Sequence, residues 1–228
     1  EMRNTGVAWT FSPVLCIARD LRWGRVGETF GEDPLLIGDF AIALIRGLQG
    51  ENLSSPDKVL ACAKHFTGYS ETQGGRDASE ADISMRKLRS YFLPPFERAA
   101  RAGVGSFMTG YQSMEGVPMT ANRTLLRKVL KEEWGFEGLL VTDWNNVGTL
   151  VTGQKIAPDY KHAAKIAVEA GNDLIMSTPQ FYQGCLDAVR EGMLDEALID
   201  EAVRRILSVK FRLGLFEDDR YPDPDAAD

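Results

Sequence analysis

Five short apolar runs, each followed by a stretch with helical spacing, constrain this chain more than any other feature. They are "GVAWTFSPVL" (6–15), "VLACAKHF" (59–66), "VGSFMTG" (104–110), "GLLVTDW" (138–144) and "DLIMS" (173–177). Helical patterns lie between and after them at 34–50, 84–103, 123–135, 157–171, 180–192 and 194–215. Near-continuous apolar strands alternating with amphipathic helices predict a parallel sheet covered by helices. Asp33 before Pro34 predicts a helix start, and Gly47 or Gly50 its end. Asn122 or Thr124 predicts another start, and Gly171 another end. Pro94 and Pro95 inside the 84–103 pattern predict a kink or break.

An open doubly wound sheet and a (β/α) barrel both satisfy this rhythm. Polar residues follow at least four of the runs: Arg19 to Arg25, Lys64–His65, Tyr111, and Asp143–Trp144. A barrel gathers all its strand carboxyl ends on one face, whereas an open sheet gathers them only at its switch point. No glycine-rich phosphate loop follows any strand. The reading is therefore α/β, a TIM-like (β/α)8 barrel. Five strands fall short of eight, so the barrel is expected to be incomplete at the N-terminus, spanning residues 1–216. The Pro/Asp-rich tail, 217–228, is expected to be a linker or a surface strap.

Composition removes several classes. The net charge of −7, with scattered Lys and Arg, gives no basic stripe for nucleic acid. No apolar run approaches the roughly 20 residues of a membrane helix. Cys16, Cys62 and Cys185 are far apart and have no metal-ligand spacing, so no metal or cofactor is expected and all three are read as buried small hydrophobes. His162 is read as a surface residue in mid-helix.

Asp143 is the pivotal residue. A carboxylate ending an apolar strand serves equally as a helix cap, but the neighbouring Trp144 suits a sugar ring, with an apolar face for stacking and hydroxyls for hydrogen bonds. Lys64 sits inside an apolar strand and must find a partner or lose its charge. Adjacent strand residues point to opposite faces, so Lys64 and His65 both reach one ligand only where the strand ends. "ARDLRWGR" (18–25) packs three arginines around Trp23, and "GGR" places Arg76 on a long loop after the Lys–His pair. Long loops at a barrel's active face tend to carry function.

The segments "FSPVLCIARDLRWGRVGETFGEDP", "ACAKHFTGY…GGR", "FMTGYQSMEGVPM", "GFEGLLVTDW" and "AGNDLIM" occur together in this order. Collectively they resemble the N-terminal barrel domain of glycoside hydrolase family 3, over nearly the whole chain. The resemblance implies a retaining exo-acting β-glycosidase of β-glucosidase type, with Asp143 as nucleophile. It implies that Arg25, Lys64, His65, Arg76, Met108, Tyr111 and Trp144 bind the nonreducing terminal sugar of a β-linked gluco-oligosaccharide or an aryl or alkyl β-glucoside. The cations Lys64, Arg25 and Arg76 would then stabilise the Asp143 carboxylate. Family members that release N-acetylglucosamine carry a His–Asp dyad on the loop after the Lys–His strand. Here that loop, "TGYSETQGGRDASEAD", has no His. The resemblance therefore implies that the acid/base is a Glu on a C-terminal α/β sandwich domain, and that these residues alone turn over little substrate. Many bacterial relatives of this type are periplasmic or secreted, which is the compartment the resemblance suggests. The alternatives are an N-acetyl-β-glucosaminidase of the same family, a sugar-binding barrel without catalysis, and an aldolase using Lys64 as a Schiff base.

Overall fold

Strands β1 (Cys62–Phe66), β2 (Ser106–Thr109) and β3 (Leu139–Val141) pair in parallel in the order β1–β2–β3. Their register sets Cys62 beside Ser106, and Ser106 beside Leu139. The computed structural model describes residues 1–218 and 220–222. Two extended segments continue the sheet outward through isolated bridges, Trp9 to Leu60 and Val14 to Lys64 on one side and Leu174 to Val141 on the other. The five apolar runs thus lie side by side as the sequence predicts.

The run at 6–15 is not a regular strand. It follows β1 closely, with Leu60 N–H donating to Ala8 O (2.9 Å), Cys62 N–H to Ser12 O (2.8 Å) and Leu15 N–H to Lys64 O (2.6 Å). Pro13 has no N–H to donate, so the ladder is interrupted there. Among the described residues the sheet remains open, and no eight-stranded ring is closed. A second, small sheet joins Glu80–Ala81, Ser113–Met114 and Val117–Pro118.

The helices begin and end where local chemistry requires. Helix α1 (Pro34–Gln49) opens with Asp33 Oδ1 accepting from Leu35 N–H (2.8 Å) and stops at Gly50. The 84–103 pattern breaks as the prolines predict. A short turn passes into a π-wound segment, Leu88–Phe92, and α2 (Pro94–Arg101) starts afresh. The carbonyl of Phe92 at this break accepts the hydroxyl of Thr67 (3.2 Å). The segment Thr124–Glu133 is also π-wound, with Asn122 Oδ1 accepting Leu125 N–H (3.0 Å) at its start. After α3 (Asn146–Thr152), α4 (Tyr160–Ala170) ends at Gly171, whose φ of 109° suits glycine. His162 lies in the first turn of α4 rather than in mid-helix, beside its cap Asp159 (2.7 Å), and is half-buried. Helices α5 (Gln180–Arg190) and α6 (Glu196–Arg212) complete the set.

Alternation along the strands sorts the side chains. Ala61, Ala63, Phe107 and Leu140 join the large cluster under α1 and α2, whereas Cys62, Met108, Leu139 and Val141 form another with Val209 and Leu213. Cys16 and Cys62 are buried, but Cys185 is only half-buried on α5, which corrects the expectation for that residue. Part of the tail expected as a linker, Asp219 and 223–228, lies outside the described residues. The described part is strapped to the body: buried Arg220 donates to Lys58 O (3.0 Å) and Leu213 O.

Lys131, from the 124–133 helix, meets Asp173 before the last extended run at 2.6 Å, with side chains 4% and 2% exposed. Asp173 also accepts Leu140 N–H (2.8 Å), so the pair ties helix, β3 and the 174 segment together. Burial pushes the lysine down and the carboxyl up, each against its partner's charge. Lys131→Met strands a buried carboxylate and should cost about 3–5 kcal/mol in denaturant unfolding. Adding Asp173→Leu should recover part of the loss, since only the Leu140 amide is then left unpaired.

Candidate active site

Parallel pairing delivers the carboxyl ends of β1, β2 and β3 to one rim, where four of the sequence-predicted residues meet. Asp143, two residues past β3, has a side chain 13% exposed. Its Oδ1 accepts from Tyr111 O–H (2.9 Å), beyond β2, and from Trp144 N–H (2.6 Å). Its Oδ2 lies 3.4 Å from Nε2 of His65 on β1. Nη2 of Arg25 stands 3.2 Å from the same Nε2. One carboxylate oxygen is thus fixed by two donors, while the other faces a ring nitrogen.

His65 reaches the site because the register shifts between Ala63 and Phe66. Such irregularities re-aim side chains. The strand ends one residue later, at Phe66, and the irregularity turns His65 inward, while Lys64 is half-buried beside it. The Lys64–His65 and Phe66–Thr67 peptides are cis. The His65 side chain is only 1% exposed. Burial, then the charges of Arg25 and Lys64, hold it well below the ordinary histidine value of 6.5, so the ring is neutral at neutral pH.

Arg25 is gripped by Glu28 through two contacts, Nε–Oε1 (2.7 Å) and Nη2–Oε2 (2.8 Å), and lies over the Tyr69 ring at 5.5 Å. The Glu28 bond raises the guanidinium's proton affinity and lowers that of the carboxyl. Burial, then the Asp143 charge, pushes the Tyr111 hydroxyl upward, so it remains a donor.

The other predicted residues are placed differently. Lys64 is half-buried; its charge acts through space on His65, Cys16, Cys62 and Glu28. Arg76 is exposed on the loop after β1, and its guanidinium makes no hydrogen bond or ion pair with the described residues. That loop lies against the 18–25 segment because Gly75, at φ 69°, sits where a Cβ would meet the backbone of Arg22 and Trp23. Met108 is buried in the sheet cluster with Cys62 and Val141. Trp144 is 65% exposed at the rim. Trp23, by contrast, is buried against Tyr69, which explains a tryptophan in an otherwise charged loop.

Several residues enter unforeseen. Glu28 pairs with Arg25 at a spacing of three, a signal visible in "RVGE". Glu71 clamps Arg19 (3.0 and 2.6 Å) and Lys87 (3.3 Å), tying the loop after β1 to the 18–25 segment. Asp77 is raised by burial and by Asp143, against the pull of Arg25, so it shares this electrostatic neighbourhood. Cys16 places its sulfur 3.7 Å from Nδ1 of His65. Buried Asn146 braces the rim by donating to Gly110 O (3.1 Å). Long-range packing assembles the last three, and no local pattern marks them. Among the described residues, no group of three or more His, Cys, Asp or Glu could hold a metal ion.

Residues 1–209 match the glycosyl hydrolase family 3 N terminal domain. The chain belongs to glycosyl hydrolase family 3. It is 41% identical over 228 residues to a β-xylosidase of Formosa agariphila, covering 95% of this chain and 32% of that protein. A lysosomal β-glucosidase of Dictyostelium discoideum is 39% identical over 231 residues, covering 97% of this chain and 28% of the relative. Among solved structures, a β-glucosidase involved in saponin metabolism from intestinal bacteria superposes with a TM-score of 0.95 at 62% identity, over 98% of this chain and 30% of its own. The β-glucosidase of Listeria innocua also gives 0.95, at 38% identity, over 100% of this chain and 32% of its own. The chain of this family 3 protein thus spans about a third of the length of the relatives it matches.

A neutral buried His65 has a thermodynamic consequence. Below pH 6.5 the unfolded chain takes up a proton at this position and the folded chain does not. Stability therefore falls with falling pH, by about 1.4 kcal/mol per pH unit for one proton. The melting temperature of the wild type should drop between about pH 6.5 and 5, and that of His65→Gln should drop less over the same range. Parallel pH dependences would show that His65 is charged in the fold.

Proposed function

We propose that these residues form the nucleophile-bearing part of a retaining exo-β-glycosidase that removes a terminal β-linked glucose or xylose. The observation that carries this reading is the state of Asp143, with Oδ1 held by Tyr111 and Trp144 N–H while Oδ2 faces His65 Nε2 at 3.4 Å. Oδ2 attacks the anomeric carbon as the bond to the leaving-group oxygen breaks, giving a covalent glycosyl-Asp143 ester. Water then attacks the same carbon from the opposite face, passing one proton to the acid/base that protonated the leaving group, and releases the carboxylate with net retention. Tyr111 and the Trp144 amide fix the carboxylate's orientation. Arg25, His65, Lys64 and Arg76 supply polar contacts to the sugar hydroxyls, and Trp144 offers an apolar face. Met108 lies in the core, so its role is to shape the floor beneath the sugar.

The leaving oxygen needs a proton. In this reading a Glu on a C-terminal α/β sandwich domain supplies it, and further strands close the sheet into a (β/α)8 barrel. The two outer extended segments, each joined by isolated bridges on one side, support such closure. Substrates are β-linked gluco-oligosaccharides or aryl and alkyl β-glucosides. Xylosides enter as the second reading because relatives named β-xylosidase stand beside those named β-glucosidase. The loop 67–82 carries no His, which argues against the N-acetylglucosaminidase alternative.

In the full-length parent enzyme, Asp143→Ala should lower turnover of an aryl β-glucoside or β-xyloside on the order of a thousandfold or more, with partial rescue by azide. A 2-deoxy-2-fluoro glycoside should add its sugar mass to the Asp143 peptide. An unlabelled Asp143 with full activity in the alanine variant overturns the assignment, and turnover by residues 1–228 alone overturns the need for a second domain.

A further inference from the structure

The His65 ring, while neutral, has one proton, and its Nε2 faces two opposite demands. Nε2 lies 3.2 Å from Arg25 Nη2 and 3.4 Å from Asp143 Oδ2. A guanidinium only donates and a carboxylate only accepts. The Arg25 contact therefore needs a bare Nε2, and the Asp143 contact needs a protonated one. Whichever form is present, Nδ1 must take the complementary role, and its hydrogen-bonding neighbour is Sγ of Cys16 at 3.7 Å. The Tyr69 and His65 rings pack edge-to-face, and Lys64 adds its charge from the same strand.

Cys16 is built to serve both forms. Its sulfur accepts the His65 backbone N–H (3.4 Å), and its own proton has two destinations, His65 O at 3.9 Å or Nδ1. With the S–H turned to the carbonyl, the sulfur accepts from Nδ1–H. With the S–H turned to Nδ1, the thiol donates. A thiol is a weak donor and a weak acceptor. Burial pushes this one up to about 12, so it keeps its proton.

We propose that Cys16 is a positioning residue for His65: its rotating thiol satisfies Nδ1 in either tautomer, so that Nε2 can accept from Arg25 or donate to the hydroxyl of a bound sugar. The sugar part of this inference rests on the function proposed above. An aliphatic side chain at 16 would leave Nδ1 without a partner, a hydroxyl would keep both roles, and a carboxylate would lock the proton on Nδ1 and favour a charged ring.

The test compares Cys16→Ala, Cys16→Ser and Cys16→Asp in the full-length enzyme, with melting temperatures to confirm folding. The alanine variant should lose about tenfold in kcat/KM on an aryl β-glycoside. The serine variant should stay within about threefold of wild type. Hydrogen exchange at the imidazole C2, read by mass spectrometry, should show no inflection for His65 near the ordinary histidine value of 6.5 in wild type and one near or above that value in the aspartate variant. Equal losses for alanine and serine, no loss for alanine, or an aspartate variant with a wild-type exchange profile would each overturn the proposal. If the wild type turns over neither glucoside nor xyloside, the proposed function fails by itself. The exchange profiles then decide the role of Cys16 alone. Should the aspartate variant not fold, the alanine–serine comparison decides.

Discussion

Parallel pairing in a fixed register is the constraint on which the rest of this structure depends. Because β1, β2 and β3 run the same way with Cys62, Ser106 and Leu139 in line, the chain leaves each strand at the same rim. Tyr111, His65 and Asp143 are far apart in sequence, yet they arrive within hydrogen-bond range there. Parallel strands need long crossovers, and the helices that make them also bury the outer face of the sheet. The large cluster under α1 and α2 is thus both the core and the support that holds the rim in place.

The rim is an arrangement of charges that limit one another. Arg25 would compete directly for Asp143, but Glu28 takes two of its donors. What remains of the guanidinium contacts the histidine ring and the Tyr69 hydroxyl, not the carboxylate. Burial and two cations keep that ring neutral. A neutral imidazole beside a carboxylate can orient without neutralising it. The cost of a buried, unprotonated histidine is a loss of stability in acid, a common accompaniment of sites arranged for chemistry.

Much of this was legible in the sequence, at particular places. The apolar runs marked the five parallel segments, since fully buried strands carry apolar residues on both faces. Asp33 and Gly171 marked helix ends through their own local hydrogen bonding and φ. Asp143 stood out as a carboxylate closing a dry strand, and the ordered motifs around it carried the family resemblance. The misses have separate causes. The 6–15 run reads as a strand because its residues are apolar, but Pro13 removes a ladder donor. The 124–133 pattern reads as an ordinary helix, because apolar spacing scarcely separates α from π winding. Cys16 reads as filler because a lone cysteine in an apolar run carries no sign of what its sulfur touches.

Local chemistry therefore settled which segments are extended and which are helical, where several helices begin and end, and which carboxylate follows β3. Those properties depend on side chains within a few residues of one another. The tertiary structure alone decided that His65 turns inward through a shifted register, that Met108 faces the core, and that Cys16 sits behind the histidine. Each of these follows from contacts between segments tens of residues apart, whose distances are fixed only when the sheet registers and the core closes.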